Sequence, residues 1–184
     1  MQHSIFPQNH ITKIAIIGDS YVGKTSLIER YINSNFTVNY SMTLGFNVIS
    51  KNITNDNNNN PELLIFIDVS GEPRFSEVRK PCYSGVEIVL GVCDLTSKES
   101  LVNLERIWLP EIYSYLPLKS KSKPKLQIIA NKCDLEDKIE ITPDDLEDTF
   151  QRISLNFPEL NILKPCLKTS AKLNLNIKES VSFR

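Results

Sequence analysis

At 184 residues with 41% hydrophobic side chains, the chain suits one domain with a sizeable core and is too short for a second full domain. Its 21 basic and 22 acidic residues leave a net charge of −1, so composition offers no attraction to nucleic acid or to an anionic lipid surface. Cys82, Cys93, Cys133 and Cys166 are scattered without CxxC or Cys/His spacing, and Met1 to Asn9 lacks the apolar core of a signal peptide, so reduced thiols and a cytoplasmic protein are expected.

The first element is an apolar run, Ile11 to Ile17, that reads as a buried parallel strand; Ser26 to Ile32 follows with helical spacing. Between them Gly18-Asp19-Ser20-Tyr21-Val22-Gly23-Lys24-Thr25 fits G-x-x-x-x-G-K-[ST] in full. A loop with glycine at both ends can turn its amides inward at a positive helix terminus, which makes a cradle for phosphate oxygens. The expected phosphate-binding set is Asp19, Ser20, Tyr21, Val22, Gly23, Lys24, Thr25 and Ser26. Lys24 would place its ammonium on the outer phosphates and Thr25 would give one oxygen to Mg²⁺. The plainer alternative is an ordinary strand-to-helix turn.

Asn33 to Thr43 is polar, carries no periodicity and reads as a loop. Phe46 to Ile53 and Leu63 to Asp68 look like two strands of a hairpin, joined through an asparagine-rich turn at Thr54 to Pro61. Asp68-Val69-Ser70-Gly71 sets a carboxylate and a glycine at a strand's carboxyl end, where open α/β sheets bind ligands. Downstream of a phosphate loop, Asp68 would hold a Mg²⁺ water and the Gly71 amide would meet a terminal phosphate oxygen. Taken alone, D-x-x-G is equally an ordinary turn.

Val86 to Asp94 predicts a further strand. Thr96-Ser97-Lys98-Glu99 reads as a capping box opening a helix whose core stripe is Leu101, Leu104, Trp108, Ile112 and Tyr115, with Pro110 bending it or marking its last turns. After a basic, solvated loop at 119–124, Lys125 to Ala130 is another strand, followed directly by Asn131-Lys132-Cys133-Asp134. The two oxygens of Asp134 match the N1 and N2 hydrogens of guanine, a donor pair that adenine does not present. Thr142 caps a helix with Pro143 at its first position and Leu146, Phe150 and Ile153 inside. Ile162 to Leu167, interrupted by a proline, suits an edge strand; Thr169-Ser170-Ala171-Lys172 follows, and Leu175 to Arg184 begins a helix that stops early.

Glycine loop, D-x-x-G, N-K-x-D and S-A-K, in this order, make nearly the whole chain resemble a small GTPase of the Ras superfamily. Gly18-Asp19-Ser20, Thr43-Leu44-Gly45, Arg74-Phe75 and Lys168 to Lys172 are similar to the Rab branch, while Trp108-Leu109-Pro110-Glu111 looks more like the Rho branch. The resemblance implies an α/β P-loop G domain over residues 1–184, with residues 1–10 as an extension and a short final helix. Its sheet would be mostly parallel and six-stranded, with one antiparallel edge strand and helices on both faces. It further implies GTP or GDP with Mg²⁺ held by Thr25, Thr43 and Asp68. Phe36 would pack against the guanine, and Asn131, Lys132, Asp134, Ser170, Ala171 and Lys172 would surround it. Lys24, Thr43, Gly71 and Glu72 would be the catalytic positions.

Residues 34–45 and 69–83 would be the switches that meet effector, exchange-factor and activating proteins. The chain departs from the family in four respects. Glu72 stands where the family has its catalytic glutamine, which predicts slow hydrolysis unless Glu72 is merely a solvated loop residue. The aromatic trio of Rab proteins appears as Val48, Ile67 and Cys82. No cysteine follows Cys166, so no prenylation site is expected at the end, and membrane association would run through partners. The long interval from Asp134 to Ser170 suggests a surface insertion near Asn156 to Leu163. A monomer is expected. Two other readings stay open: a non-cycling G-domain interaction module with structural nucleotide, and a P-loop small-molecule kinase, which gives no reason for N-K-x-D and S-A-K.

Overall fold

Alternating burial on both sides of one strand sets the architecture. In β1 (His10–Ile17), Ile14 and Ile16 pack into one apolar cluster while Ala15 and Ile17 pack into another on the opposite face. A strand buried on both faces belongs in the middle of a parallel sheet covered by helices on each side. The computed structural model, which describes residues 10–33, 43–54, 61–116 and 123–183, has that sheet. Its six strands run in the order β2 (Phe46–Thr54), β3 (Pro61–Val69), β1, β4 (Ile88–Asp94), β5 (Lys125–Asn131), β6 (Asn161–Lys168). Only β2 with β3 is antiparallel, in register from Phe46 opposite Val69 to Thr54 opposite Pro61. The expected six-stranded sheet and hairpin are therefore present. Phe36, the turn at 55–60 and most of the basic loop lie outside the described residues.

On one face, α1 (Lys24–Asn33) sets Leu27 and Ile28 against Ile14, Ile16, Phe66 and Leu90, with Ile177 of the short α6 (Ile177–Ser180) alongside. Beyond the short α2 (Ser76–Arg79), the other face is covered by α3 (Lys98–Asn103), α4 (Leu109–Tyr113) and α5 (Pro143–Asn156), through Leu104, Trp108, Leu109, Ile112, Phe150 and Ile153. The chain leaves β1 toward β2 and β3 on one side and returns to β4 on the other. The connections that follow β1 and β3 therefore part to opposite sides, the arrangement that opens a crevice beyond their carboxyl ends.

Three local expectations need correction. The cap of α3 is Ser97, whose hydroxyl accepts from Ser100 N–H, and not Thr96, because Asp94 Oδ1 already takes the Thr96 N–H and hydroxyl. The stripe through α3 and α4 ends on Leu116, 7% exposed, and Tyr115 is 42% exposed. The cause is a π-helical turn at Leu104–Trp108, in which Leu109 N–H reaches back to Leu104 O. Its extra residue rotates every later side chain and lets Pro110 enter without breaking the ladder. Finally, 156–163 is no surface insertion, because Phe157 and Leu160 are buried in the α5 cluster and β6 starts at Asn161.

The predicted start of α5 is present in full: Thr142 accepts from Asp145 N–H, and the Asp145 carboxylate accepts from the Thr142 N–H. That backbone bond, with the Thr142 hydroxyl and Lys98, holds the Asp145 carboxyl down to about 2. A carboxyl held low stabilises the fold above its unfolded value and loses the effect as pH falls through its folded one. Asp145→Ala is expected to lower the melting temperature by a few degrees at pH 7, with the gap closing between about pH 4 and about pH 2. Thermal melts across that range check this; a gap independent of pH would refute it.

Candidate functional site

The loop between β1 and α1 needs both its glycines for the same two reasons, a positive φ and a neighbour too close for a side chain. Gly18 has φ +139°, and a Cβ there would lie 2.2 Å from Val92 O; Gly23 has φ +99°, and a Cβ there would lie 2.4 Å from Asn131 Nδ2. Asn131, at the end of β5, occupies that space and donates to Val22 O at 2.9 Å. Tyr21, at φ +67°, completes the inward turn and leaves its ring exposed. Lys24 is buried and donates to Gly18 O at 2.8 Å and Asp19 O at 2.7 Å. Burial pulls its ammonium down to about 8, against the opposing pull of Asp68 and Asp19.

Next to Lys24 three oxygen-bearing side chains meet. Thr25 Oγ1 donates to Asp68 Oδ2 at 2.5 Å, Thr43 Oγ1 donates to the same oxygen at 3.4 Å, and the two hydroxyls are 3.2 Å apart. Asp68 is wholly buried at the end of β3, and among the described residues its Oδ1 has no hydrogen-bond partner. Burial raises its carboxyl above the usual range even though Thr25 and Lys24 act the other way. A buried carboxylate oxygen left unpaired is costly, and here it sits among hydroxyl oxygens of the kind that a hard divalent cation prefers. The residues therefore fit Mg²⁺. Lys24, Thr25, Thr43, Ser20 and Gly71 also line a cavity of about 20 Å³. A much larger opening, about 590 Å³, lies at the opposite end of the sheet beside His10, Lys51 and Phe183 and carries none of the motifs.

Gly71 lies directly on the phosphate loop, where a Cβ would fall 2.2 Å from Ser20 N. Glu72 is half-buried and accepts from Ser20 Oγ at 3.1 Å, so it is engaged with the loop rather than merely solvated. Asp19 turns its carboxylate away, accepting from Trp108 Nε1 at 2.6 Å and Asn103 Nδ2 at 2.8 Å.

At the other end Asn131 Oδ1 accepts from Thr169 Oγ1 at 3.0 Å and from Ala171 N–H at 3.3 Å, tying N-K-x-D to S-A-K. Asp134 Oδ1 accepts from Ser170 Oγ at 2.6 Å. Lys132, at φ +66°, donates to Asp94 Oδ2 at 2.6 Å. Arg30 of α1 reaches across to the carbonyls of Ala171 and Lys172, while the Lys172 side chain is exposed. The structure thus gathers Asp19 to Ser26, Thr43, Asp68, Gly71 and Glu72 at the carboxyl ends of β1 and β3. Asn131, Lys132, Asp134, Ser170 and Ala171 stand at and beyond the carboxyl ends of β5 and β6, and the two groups meet where Asn131 touches Gly23 and Val22.

Sequence reading gave no individual role here to Asn103, Asp94, Arg79 or Glu111, and it placed Trp108 in the core stripe and in the Rho-like stretch that runs to Glu111. The usable signal was Trp108 itself, because a buried indole N–H needs an acceptor. The Arg79 guanidinium is 2% exposed, forms a two-pronged pair with Glu111 at 2.7 Å and 2.7 Å, and lies 4.6 Å from the centre of the Trp108 ring. Burial alone would raise the Glu111 carboxyl, yet the bonds from Arg79, Tyr83 and Ser76 outweigh it and hold it below its usual value.

Comparison with known proteins agrees with the geometry. The Ras family model matches residues 13–183. The chain is similar to the Ypt/Rab-type GTPase YPT7 of Saccharomyces cerevisiae, 29% identical over 170 residues, 92% of this chain and 77% of that protein. It is also similar to the Ras-related protein Rab-13 of Bos taurus, 28% identical over 174 residues, 95% of this chain and 78% of that one. The Ras-related protein Rab-1 of Theileria annulata is 27% identical over 172 residues, 94% and 71% of the two chains.

Proposed function

From the premise that this chain belongs to the Ras family and is a Rab-like small GTPase, we propose that it binds GDP and GTP with Mg²⁺ and hydrolyses GTP slowly as a timed switch. The observation that carries this reading is the seat of the Asn131 amide on Gly23, which makes the phosphate loop and the base-reading loops one continuous surface.

In this reading the amides of Asp19 to Ser26 hold the phosphates, and Lys24 exchanges its bonds to Gly18 O and Asp19 O for phosphate oxygens. Thr25, Thr43 and Asp68 are the residues that would hold Mg²⁺, whose charge offsets that on the phosphates. Gly71 N–H orients the terminal phosphate. Asp134 accepts from the guanine, with Ser170 fixing its carboxylate and Ala171 and Lys172 closing the base pocket. Glu72, on Ser20, accepts from the attacking water and donates to nothing, which is the cause of the slow step.

Leu44, Phe46, Val48 and Val78 are 70%, 41%, 54% and 51% exposed and form apolar surface within and beside the two switch segments. Protein partners that read the nucleotide state would dock there. Among the described residues no helix is long and apolar enough to cross a membrane. The second reading, a non-cycling interaction module, draws on Glu72 and on Val48, Ile67 and Cys82 in place of aromatic rings.

Protein purified without added nucleotide and analysed by mass spectrometry is expected to carry GDP or GTP, and amide exchange across residues 69–83 is expected to slow with a GTP analogue relative to GDP. Adenine nucleotide alone would overturn the specificity. Identical exchange in the two states would favour the module over the switch.

A further inference from the structure

We propose that Arg79 is a positioning residue that fixes the D-x-x-G loop, and Glu72 with it, against the phosphate loop. The inference rests on the nucleotide reading for its effect on hydrolysis, but the contact network itself stands on the geometry. A buried guanidinium is costly unless the donors left over from its carboxylate partner also find acceptors, and where those acceptors lie decides what the residue holds in place. Arg79 spends Nε and Nη2 on Glu111 and directs Nη1 at the backbone, to Glu72 O at 2.7 Å and Ser70 O at 3.5 Å. Those are the carbonyls on either side of Gly71.

The other face of the network reaches the phosphate loop. The Arg79 guanidinium stacks on the Trp108 ring, and that indole donates to Asp19 at 2.6 Å, with Asn103 on the second carboxylate oxygen. Glu111 is itself held by Tyr83 Oη at 2.9 Å and Ser76 Oγ at 3.0 Å, so its carboxylate cannot swing away from Arg79 without losing them. One cation thus joins α4, the turn at residues 70–72 and, through Trp108, the loop after β1. Gly71 has no slack against Ser20, so any drift of this turn moves Gly71 N–H and Glu72 together. Misplacement by about 1 Å is enough to cost up to ~10²-fold in a positioned reaction.

Two variants separate this role from simple stability. Arg79→Met with Glu111→Gln removes the pair without stranding a buried charge. Trp108→Phe keeps an aromatic face for Arg79 and deletes the donor to Asp19, at the cost of a small gap where the indole was. Hydrogen exchange read by mass spectrometry on the whole chain, with and without GDP, is expected to show at least about tenfold faster exchange over residues 69–76 in the double variant, with α5 unchanged. Trp108→Phe is expected to loosen 18–22 and leave 69–76 protected. Single-turnover GTP hydrolysis in the double variant is expected to fall about tenfold while its preference for guanine over adenine nucleotide holds. Unchanged exchange over 69–76, or a rise that α5 shares in proportion, would make Arg79 an ordinary core ion pair and overturn the proposal. Failure of the parent chain to take up GDP would instead sink the nucleotide reading, and the exchange data would still decide the role of Arg79.

Discussion

Asp134→Asn is expected to weaken GDP binding by about 10³- to 10⁴-fold and to give the protein a measurable affinity for xanthosine diphosphate. The carboxylate presents two acceptors to the N1 and N2 hydrogens of guanine. An amide presents one acceptor and one donor, so a guanine donor faces an Asn donor and both are left unpaired, each at a cost of about 1–3 kcal/mol. Xanthine carries a carbonyl where guanine has its amino group, and the Asn amide matches it. The fold should tolerate the change, because Ser170 Oγ can donate to an amide oxygen as it does to Asp134 Oδ1. Competition binding with GDP, ADP and xanthosine diphosphate measures all three; an unchanged GDP affinity would show that another group reads the base.

Glu72→Gln is expected to speed single-turnover GTP hydrolysis by about 10- to 100-fold, equivalent to about 1.4–2.8 kcal/mol of barrier. That is about the worth of one hydrogen bond to a charged group, which the glutamine N–H would supply to the phosphate side and the carboxylate cannot. The carboxylate is already at the phosphate loop, 3.1 Å from Ser20 Oγ, and Arg79 fixes its backbone carbonyl, so the substitution changes chemistry with little change of place. A Gln variant no faster than the parent would remove Glu72 as the cause of slow turnover.

The readable parts of the fold were those in which local chemistry and tertiary role coincide. Strands buried on both faces, such as β1 and β4, read as apolar runs because nothing on them meets water. Thr142, Pro143 and Asp145 announced α5 because a cap is complete within four residues. The candidate site was legible through its glycines and through Asp68 and Asp134, which stand at the end of β3 and just past the end of β5 and so fall at the same end of the sheet.

What escaped were relations between distant segments. Arg79 lies in a segment read only as a switch, and its partner Glu111 is 32 positions away. Pro110 announced an irregular helix but not that the irregularity would be an added residue upstream, and that phase shift decides between Tyr115 and Leu116. Thr96 was misread as a cap because its competitor, Asp94, sits before the helix and claims it first.

The fit of the Asn131 amide into the space a side chain at Gly23 would need has an evolutionary corollary. Neither position can drift by itself, because bulk at 23 collides with the amide and a smaller group at 131 abandons Val22 O. The loop after β1 and the segment after β5 are thus inherited as one unit at this contact, and a change at either position calls for a change at the other.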